Sequence, residues 1–152
     1  MYSSKLSVSI HILCLVALAA HPITSDYIAG SIGTNPVLVR RLMGQLKRAG
    51  LLNTQTKLGA TGLTKPPEKI TLLEIFRAAE PQQRLFDIHA GTNMNCPVGA
   101  NINKILTQLY GGIQQQMETQ LEKVRLSDLL IKFSQPQSGE NQAPEAERDR
   151  EE

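Results

Sequence analysis

Two sets of residues in this chain have the types and spacing to do chemistry. The first lies in "NPVLVRRLMGQLKRAGLL" (35–52), where Arg40, Arg41, Lys47 and Arg48 recur without one acid among them. At 100° per residue they share a helix face with Val37 and Gly44. Leu38, Val39, Leu42, Met43, Leu46 and Ala49 fall on the other face. Four cations on one face suit a polyanion, and Gly44 among them would let a backbone approach closely. Taken alone, the pattern also fits an ordinary solvated amphipathic helix. The second set is Cys96 followed by Pro97. A cysteine capping a long helix sits at the positive end of its dipole, which lowers the thiol pKa and raises its reactivity toward oxidants and electrophiles. A small residue serving only as a cap is the competing reading.

Other chemistry finds little support. No nucleophile–base pair or phosphate-cradling loop occurs, and "HAGTNMNC" (89–96) has too few ligands for zinc. No enzymatic activity, metal or cofactor is expected. Cys14 lies in an apolar run and reads as a core thiol, and two cysteines do not make a disulfide framework. His11 and His21 read as structural, and His89, in the loop before Cys96, could tune that thiol or bind a ligand, although a lone loop histidine usually does neither.

The surroundings favour the polyanion. Across the 152 residues the net charge is only +2, yet residues 1–65 carry seven Lys/Arg against one acid, Asp26. Residues 66–134 are balanced, and 135–152 carry six acids against Arg148 and Arg150. A basic N-terminal half is the footprint of a phosphate-binding surface. The segment "SQPQSGENQAPEAERDREE" (134–152) is too polar to offset ordering entropy and is expected to be a disordered acidic tail. The run "KLSVSIHILCLVALAAHP" (5–22) looks like a secretory leader, but His11 and two serines interrupt it and the next segment needs it as a packing partner. It is too short to span a bilayer, so a cytoplasmic protein without a membrane partner is expected.

The elements that position these residues can be read in order. Helix one is expected over 4–20, and a second helix capped by Thr24 or Ser25 buries Ile28, Ala29 and Ile32. Gly33 breaks it, Asn35 caps the basic helix, Pro36 opens it and Gly50 fits a left-handed residue beyond its end. Two helices joined by such a turn make a helix-turn-helix, whose second helix enters the major groove. "LLNTQT" (51–56) and "LTK" (63–65) read as strands around a turn at "KLGATG" (57–62), which makes a wing. "KPPEK" (65–69) is expected to be a rigid connector barred from helix or sheet, and "TLLEIFRAAE" (71–80) a short helix. From Cys96 a long helix runs to about Val124, with Val98, Ile102, Ile105, Leu109, Ile113, Met117, Leu121 and Val124 at steps of three or four. Its length of about 40 Å exceeds what this domain can cover, so the seam is expected to meet its own copy. "LSDLLIKF" (126–133) adds a short last helix.

This order of pieces resembles the Rrf-two family of winged-helix transcriptional regulators. The resemblance rests on "IAGSIGTNPVLVRRLMGQLKRAGLL", a Gly-containing wing, "TLLEIFRAAE" and "CPVGANI", and covers about residues 3–133. Cluster-binding members carry three cysteines in the loop before the long helix. This chain has only Cys96 there, and Gly99 stands where a histidine ligand would fall, so the resemblance implies a subgroup lacking the iron–sulfur cluster. The wing departs from the family's Arg-Gly pattern, leaving Lys57 as its minor-groove candidate.

The expectation is thus a mainly α protein: a winged helix-turn-helix with a two-stranded wing over 1–80, a sensor loop over 81–96, a dimerisation helix and short terminal helix over 97–133, and the tail. Its function would be that of a homodimeric repressor at a pseudo-palindromic DNA operator. Asn35, Val37, Arg40, Arg41, Gly44, Lys47, Arg48 and Lys57 would form the DNA interface. The signal would be oxidation of Cys96 or a small-molecule effector. A protein–protein adaptor using the same fold is the alternative, and salt dependence of binding separates the two.

Overall fold

Helix α1 (Lys5–Leu18) is the centre of the fold. Ile12 and Leu13 are fully buried, with Val8, Cys14 and Val16 nearly so, and the helix packs against α3, α4 and the wing. The leader-like hydrophobicity of this segment is therefore core hydrophobicity. The computed structural model describes residues 3–135, and within them lie six α-helices and one two-stranded sheet. The acidic tail expected over 134–152 lies outside the described residues, apart from Ser134 and Gln135 at the end of α6.

Helix α2 (Ser25–Ile32) starts where the Thr24 hydroxyl accepts from the Tyr27 N–H at 3.2 Å. It ends at Gly33, whose φ of 74° turns the chain toward α3 (Pro36–Arg48). The Asn35 side chain caps α3, accepting from the Val37 N–H at 2.8 Å. Val39, Leu42, Met43 and Leu46 of α3 are buried against α1 and α2, as the periodicity requires. Leu38 is only half-buried, and Ala49 is exposed because it lies past the last helical residue.

The wing differs from the sequence reading. Strand β1 is Leu52–Gln55 and β2 is Gly59–Leu63, so the turn is only Thr56–Leu58 and β2 starts four residues earlier than expected. The cause is a non-local pairing. Ala60 exchanges both backbone hydrogen bonds with Ile23, at 3.0 and 2.9 Å, while also pairing with Thr54. That contact draws a Gly- and Thr-rich stretch into extended form against its local turn preference. The shift from Asn53↔Gly62 to Thr54↔Ala60 leaves Thr61 as an extra residue, a bulge that twists the wing. Gly59 is obligatory: its φ is 87°, and a Cβ there would collide with the Ile23 carbonyl.

The proline connector also differs, because Pro67–Lys69 forms one 3-10 turn with proline at its first position, where no N–H is needed. Helix α4 (Leu72–Ala79) follows, its start closed by a capping box between Thr71 and Glu74. Helix α5 (Pro97–Lys123) then runs outward, and α6 (Leu126–Ser134) returns. At their junction the Leu72 N–H donates to the Val124 carbonyl and the Leu126 N–H to the Ile70 carbonyl, both at 2.9 Å. These bonds, with fully buried Leu126, fix the base of α5 to the winged-helix body.

Candidate nucleic-acid interface and thiol loop

The exposed face of α3 presents Val37, Arg40, Arg41, Gly44, Lys47 and Arg48 on the side away from α1. Asn35 heads this face as the cap, and Lys57 stands at the wing tip with a φ of 70°. Of the eight sequence-derived positions, Arg40 and Gly44 of α3 and Lys57 of the wing line one groove, while Asn35, Val37, Arg41, Lys47 and Arg48 lie at the head of α3 or along it outside that groove. Among the described residues Arg41, Lys47, Arg48 and Lys57 take part in no salt bridge. Gly44 is not forced by crowding, since a Cβ there would meet only the tip of Arg48 at ordinary contact distance.

Arg40 is different. Its Nε–H donates to the Ser25 hydroxyl at 3.1 Å and its Nη2 to Asp26 Oδ1 at 3.2 Å, so it spans from α3 to the first turn of α2. A groove of about 410 Å³ opens beside this contact, lined by Ser25, Asp26, Arg40, Gly44, Gln55 and Lys57. Sequence reading missed Ser25 and Asp26 as parts of this surface. The available signal was Asp26 itself, the only acid in the first 65 residues.

Cys96 caps α5, and it is exposed. Its sulfur makes no complete capping hydrogen bond, but the N–H groups of Gly99 and then Val98 lie close enough to hold its pKa below the ordinary thiol value. Cys14 is the opposite case: buried in α1, its thiol is pushed up by loss of solvation. The loop before Cys96 is fastened to α5. The Gln114 side chain receives the Leu85 N–H at 2.8 Å and donates to the Gln83 carbonyl, and the Phe86 and Tyr110 rings lie 5.2 Å apart. His89 is exposed in this loop. Helix α5 buries none of its own residues fully, and Val98, Ile105, Leu109 and Ile113 are left exposed along it.

A winged helix whose third helix carries a cationic face, joined to a 27-residue helix, is the architecture of a transcriptional regulator. Residues 2–132 match the profile of the Rrf2 family, described as an iron-dependent transcriptional regulator, and the chain belongs to that family. The chain is 38% identical over 130 residues to YwnA of Bacillus subtilis (strain 168), named as an HTH-type transcriptional regulator, covering 86% of this chain and 97% of that one. A crystal structure described as that of a candidate DNA-binding protein superposes with a TM-score of 0.68 at 35% identity, covering 84% of this chain and 99% of that one. CymR (YrzC), the global cysteine regulator of B. subtilis, shares the fold at 20% identity and a TM-score of 0.62, covering 86% and 96% of the two chains.

The iron in the family's description finds no matching ligand set here. Cys14 is buried in α1, far in sequence from Cys96, and among the described residues no three His, Cys, Asp or Glu side chains converge. The backbone around Cys96 is also shaped against a bulky ligand at 99, because any Cβ on Gly99 would strike the Asn93 carbonyl. These residues do not fit a cluster. No helix among the described residues is long and apolar enough to cross a membrane.

Proposed function

We propose that the protein is a cytoplasmic, homodimeric, sequence-specific DNA-binding repressor whose recognition helix is α3. The observation that carries this reading is the face of α3, where Arg41, Lys47 and Arg48 are exposed and free of carboxylates among the described residues. Such a face, with Lys57 on the wing, suits the phosphates and groove edges of duplex DNA. The names of the relatives support the same chemistry. Asn35 and Val37 lie at the end of α3 that would enter the groove, and Gly44 keeps its middle slim. The exposed apolar residues of α5 support a dimer about a two-fold axis, and two symmetric α3 helices would then occupy pseudo-palindromic half-sites. Cys96, exposed and with a lowered pKa, is the best-suited thiol for sensing oxidant or electrophile. The four-part division into DNA-binding domain, sensor loop, dimerisation helix and tail follows from this assignment.

The test is fluorescence anisotropy of the purified protein on DNA from upstream of its own gene and on random duplex, titrated across salt, reduced and after mild oxidant, with Cys96→Ser alongside. Binding that falls steeply with salt is expected, because phosphate contacts release counterions. Release of the wild type but not of Cys96→Ser by oxidant is expected of the sensor. Salt-insensitive binding, or none to any duplex, would refute the DNA-binding reading.

A further inference from the structure

The feature that the α3 face does not by itself explain is the tie between Arg40 and α2. An exposed ion pair contributes little to stability, and here the two side chains are 57% and 72% exposed. Asp26, in the first turn of α2, suits the positive end of that helix, but it is also the sole carboxylate in residues 1–65, beside a surface that must attract phosphates. The helix end accounts for an acid at 26 but not for its contact with Arg40, and non-specific attraction is weakened by it. The geometry offers another reason. The guanidinium has two donor edges, one made by Nε and Nη2 and one by Nη1 and the outer N–H of Nη2. Ser25 and Asp26 occupy the first edge, at 3.1 and 3.2 Å. The remaining edge presents two parallel N–H donors, the pattern that matches the O6 and N7 acceptors of guanine in the major groove. Adenine offers a donor in place of O6 and would be rejected. A free arginine must give up much rotamer freedom to read a base, whereas one already held has less to lose. Gly44, one turn along α3, and the groove beside it leave room for a base-pair edge.

We propose that Asp26, with Ser25, is a positioning residue that fixes Arg40 as a guanine reader, so that base specificity depends on a carboxylate of α2 acting through Arg40. The inference rests on the DNA-binding reading above and goes beyond it by separating Arg40 from Arg41. Arg41 has no such carboxylate among the described residues and serves as a phosphate contact.

The experiment is selection from a random duplex pool by the full-length wild type, Asp26→Ala, Asp26→Asn and Arg40→Ala, followed by anisotropy on the selected duplex and its single-base variants. The wild type is expected to demand G·C at one position in each half-site. Asp26→Ala and Arg40→Ala are expected to relax that same position, losing roughly 10- to 100-fold of discrimination. Asp26→Asn keeps an acceptor without the charge and should fall between. Affinity for random duplex should rise in Asp26→Ala and fall in Arg40→Ala, a split that loss of structure would not produce. Should Asp26→Ala fail to fold by circular dichroism, Asp26→Asn decides by the same comparison. Unchanged preference at every position in the Asp26 variants, or relaxation at a position different from that of Arg40→Ala, would overturn the proposal while leaving DNA binding intact. A wild type that enriches no sequence would overturn both.

Discussion

The Leu85 N–H donates to the Gln114 side-chain oxygen at 2.8 Å, so the loop leading to Cys96 is fastened to the middle of α5. Gln114 also donates to the Gln83 carbonyl and to Glu118, which makes it the hub of this attachment. Gln114→Ala is expected to release the loop. Losing about 1 kcal/mol at that hydrogen bond corresponds to roughly fivefold faster exchange of the Leu85 amide, measured by hydrogen exchange under native conditions. An unchanged rate would mean that the Phe86–Tyr110 ring contact alone holds the loop.

The cations of the interface divide by partner. Arg41→Ala and Lys57→Ala are expected to weaken binding to every duplex by a similar factor and to lower the salt slope by about one each. Arg40→Ala should cost ~1–3 kcal/mol on the preferred sequence and far less on random duplex. Anisotropy at four or five salt concentrations measures both quantities.

The exposed apolar residues of α5 predict the assembly. Ile105→Asp with Leu109→Asp places two charges among residues that are 57% and 55% exposed in the single chain. The wild type should sediment as a dimer and the double variant as a folded monomer. DNA affinity should fall with it, because two half-sites are then no longer bound together. A double variant that remains dimeric would remove α5 from the interface.

Acid should weaken the start of α4 through Glu74. Burial tends to raise the carboxyl's pKa, but the Lys65 ammonium at 2.6 Å and the Thr71 N–H outweigh it, with the charge of Arg125 adding, and the pKa lies below the ordinary value. A pKa lowered on folding contributes stability that is present above the unfolded value and lost as pH falls through the native one. Glu74→Gln should therefore melt about 3 °C below wild type at pH 7, the size of a capping and ion-pair loss near 1 kcal/mol at a partly exposed site. The gap should close below roughly pH 4. A gap that widens in acid would reverse the sign of this assignment.

Two glycines give opposite expectations. Gly59→Ala combines a left-handed φ with a collision against the Ile23 carbonyl and should destabilise by about 1–3 kcal/mol, seen in urea unfolding. Gly30, inside α2 with open space around it, should gain roughly 0.5–1 kcal/mol as alanine. Equal effects would mean that the wing is not pinned through Ala60 and Ile23.

What the sequence revealed was what local periodicity and capping encode. The buried and cationic sides of α3, the Asn35 cap, the start of α4 and the reach of α5 all follow from neighbours within a few positions. The errors share a different origin. Residues 57–62 look like a turn because Gly59 and Gly62 dominate their local preference, and only the Ile23–Ala60 pairing, 37 positions apart, makes most of them a strand. In sequence Pro67 looks like a barrier to helix, whereas at a first helical position it is an ordinary starter. The Arg40–Asp26 tie joins residues 14 positions apart on different helices, and no one-helix projection could disclose it.

The anchoring of α5 at one end has a mechanical consequence. The backbone bonds at Val124 and Leu126, with the Arg77–Glu118 ion pair at 3.3 Å, attach its C-terminal part to the body, while Cys96 stands about 40 Å away at 1.5 Å per residue. The helix is a lever with its fulcrum beside α4, and α4 packs directly on α3. A sideways shift of ~2 Å at Cys96, the scale of helix movements in switching proteins, turns the arm by only about 3°. A chemical event at the thiol would therefore arrive at the recognition helix as a small torque rather than a displacement. In a symmetric pair, two such torques would alter the spacing of the two reading heads before altering either head itself.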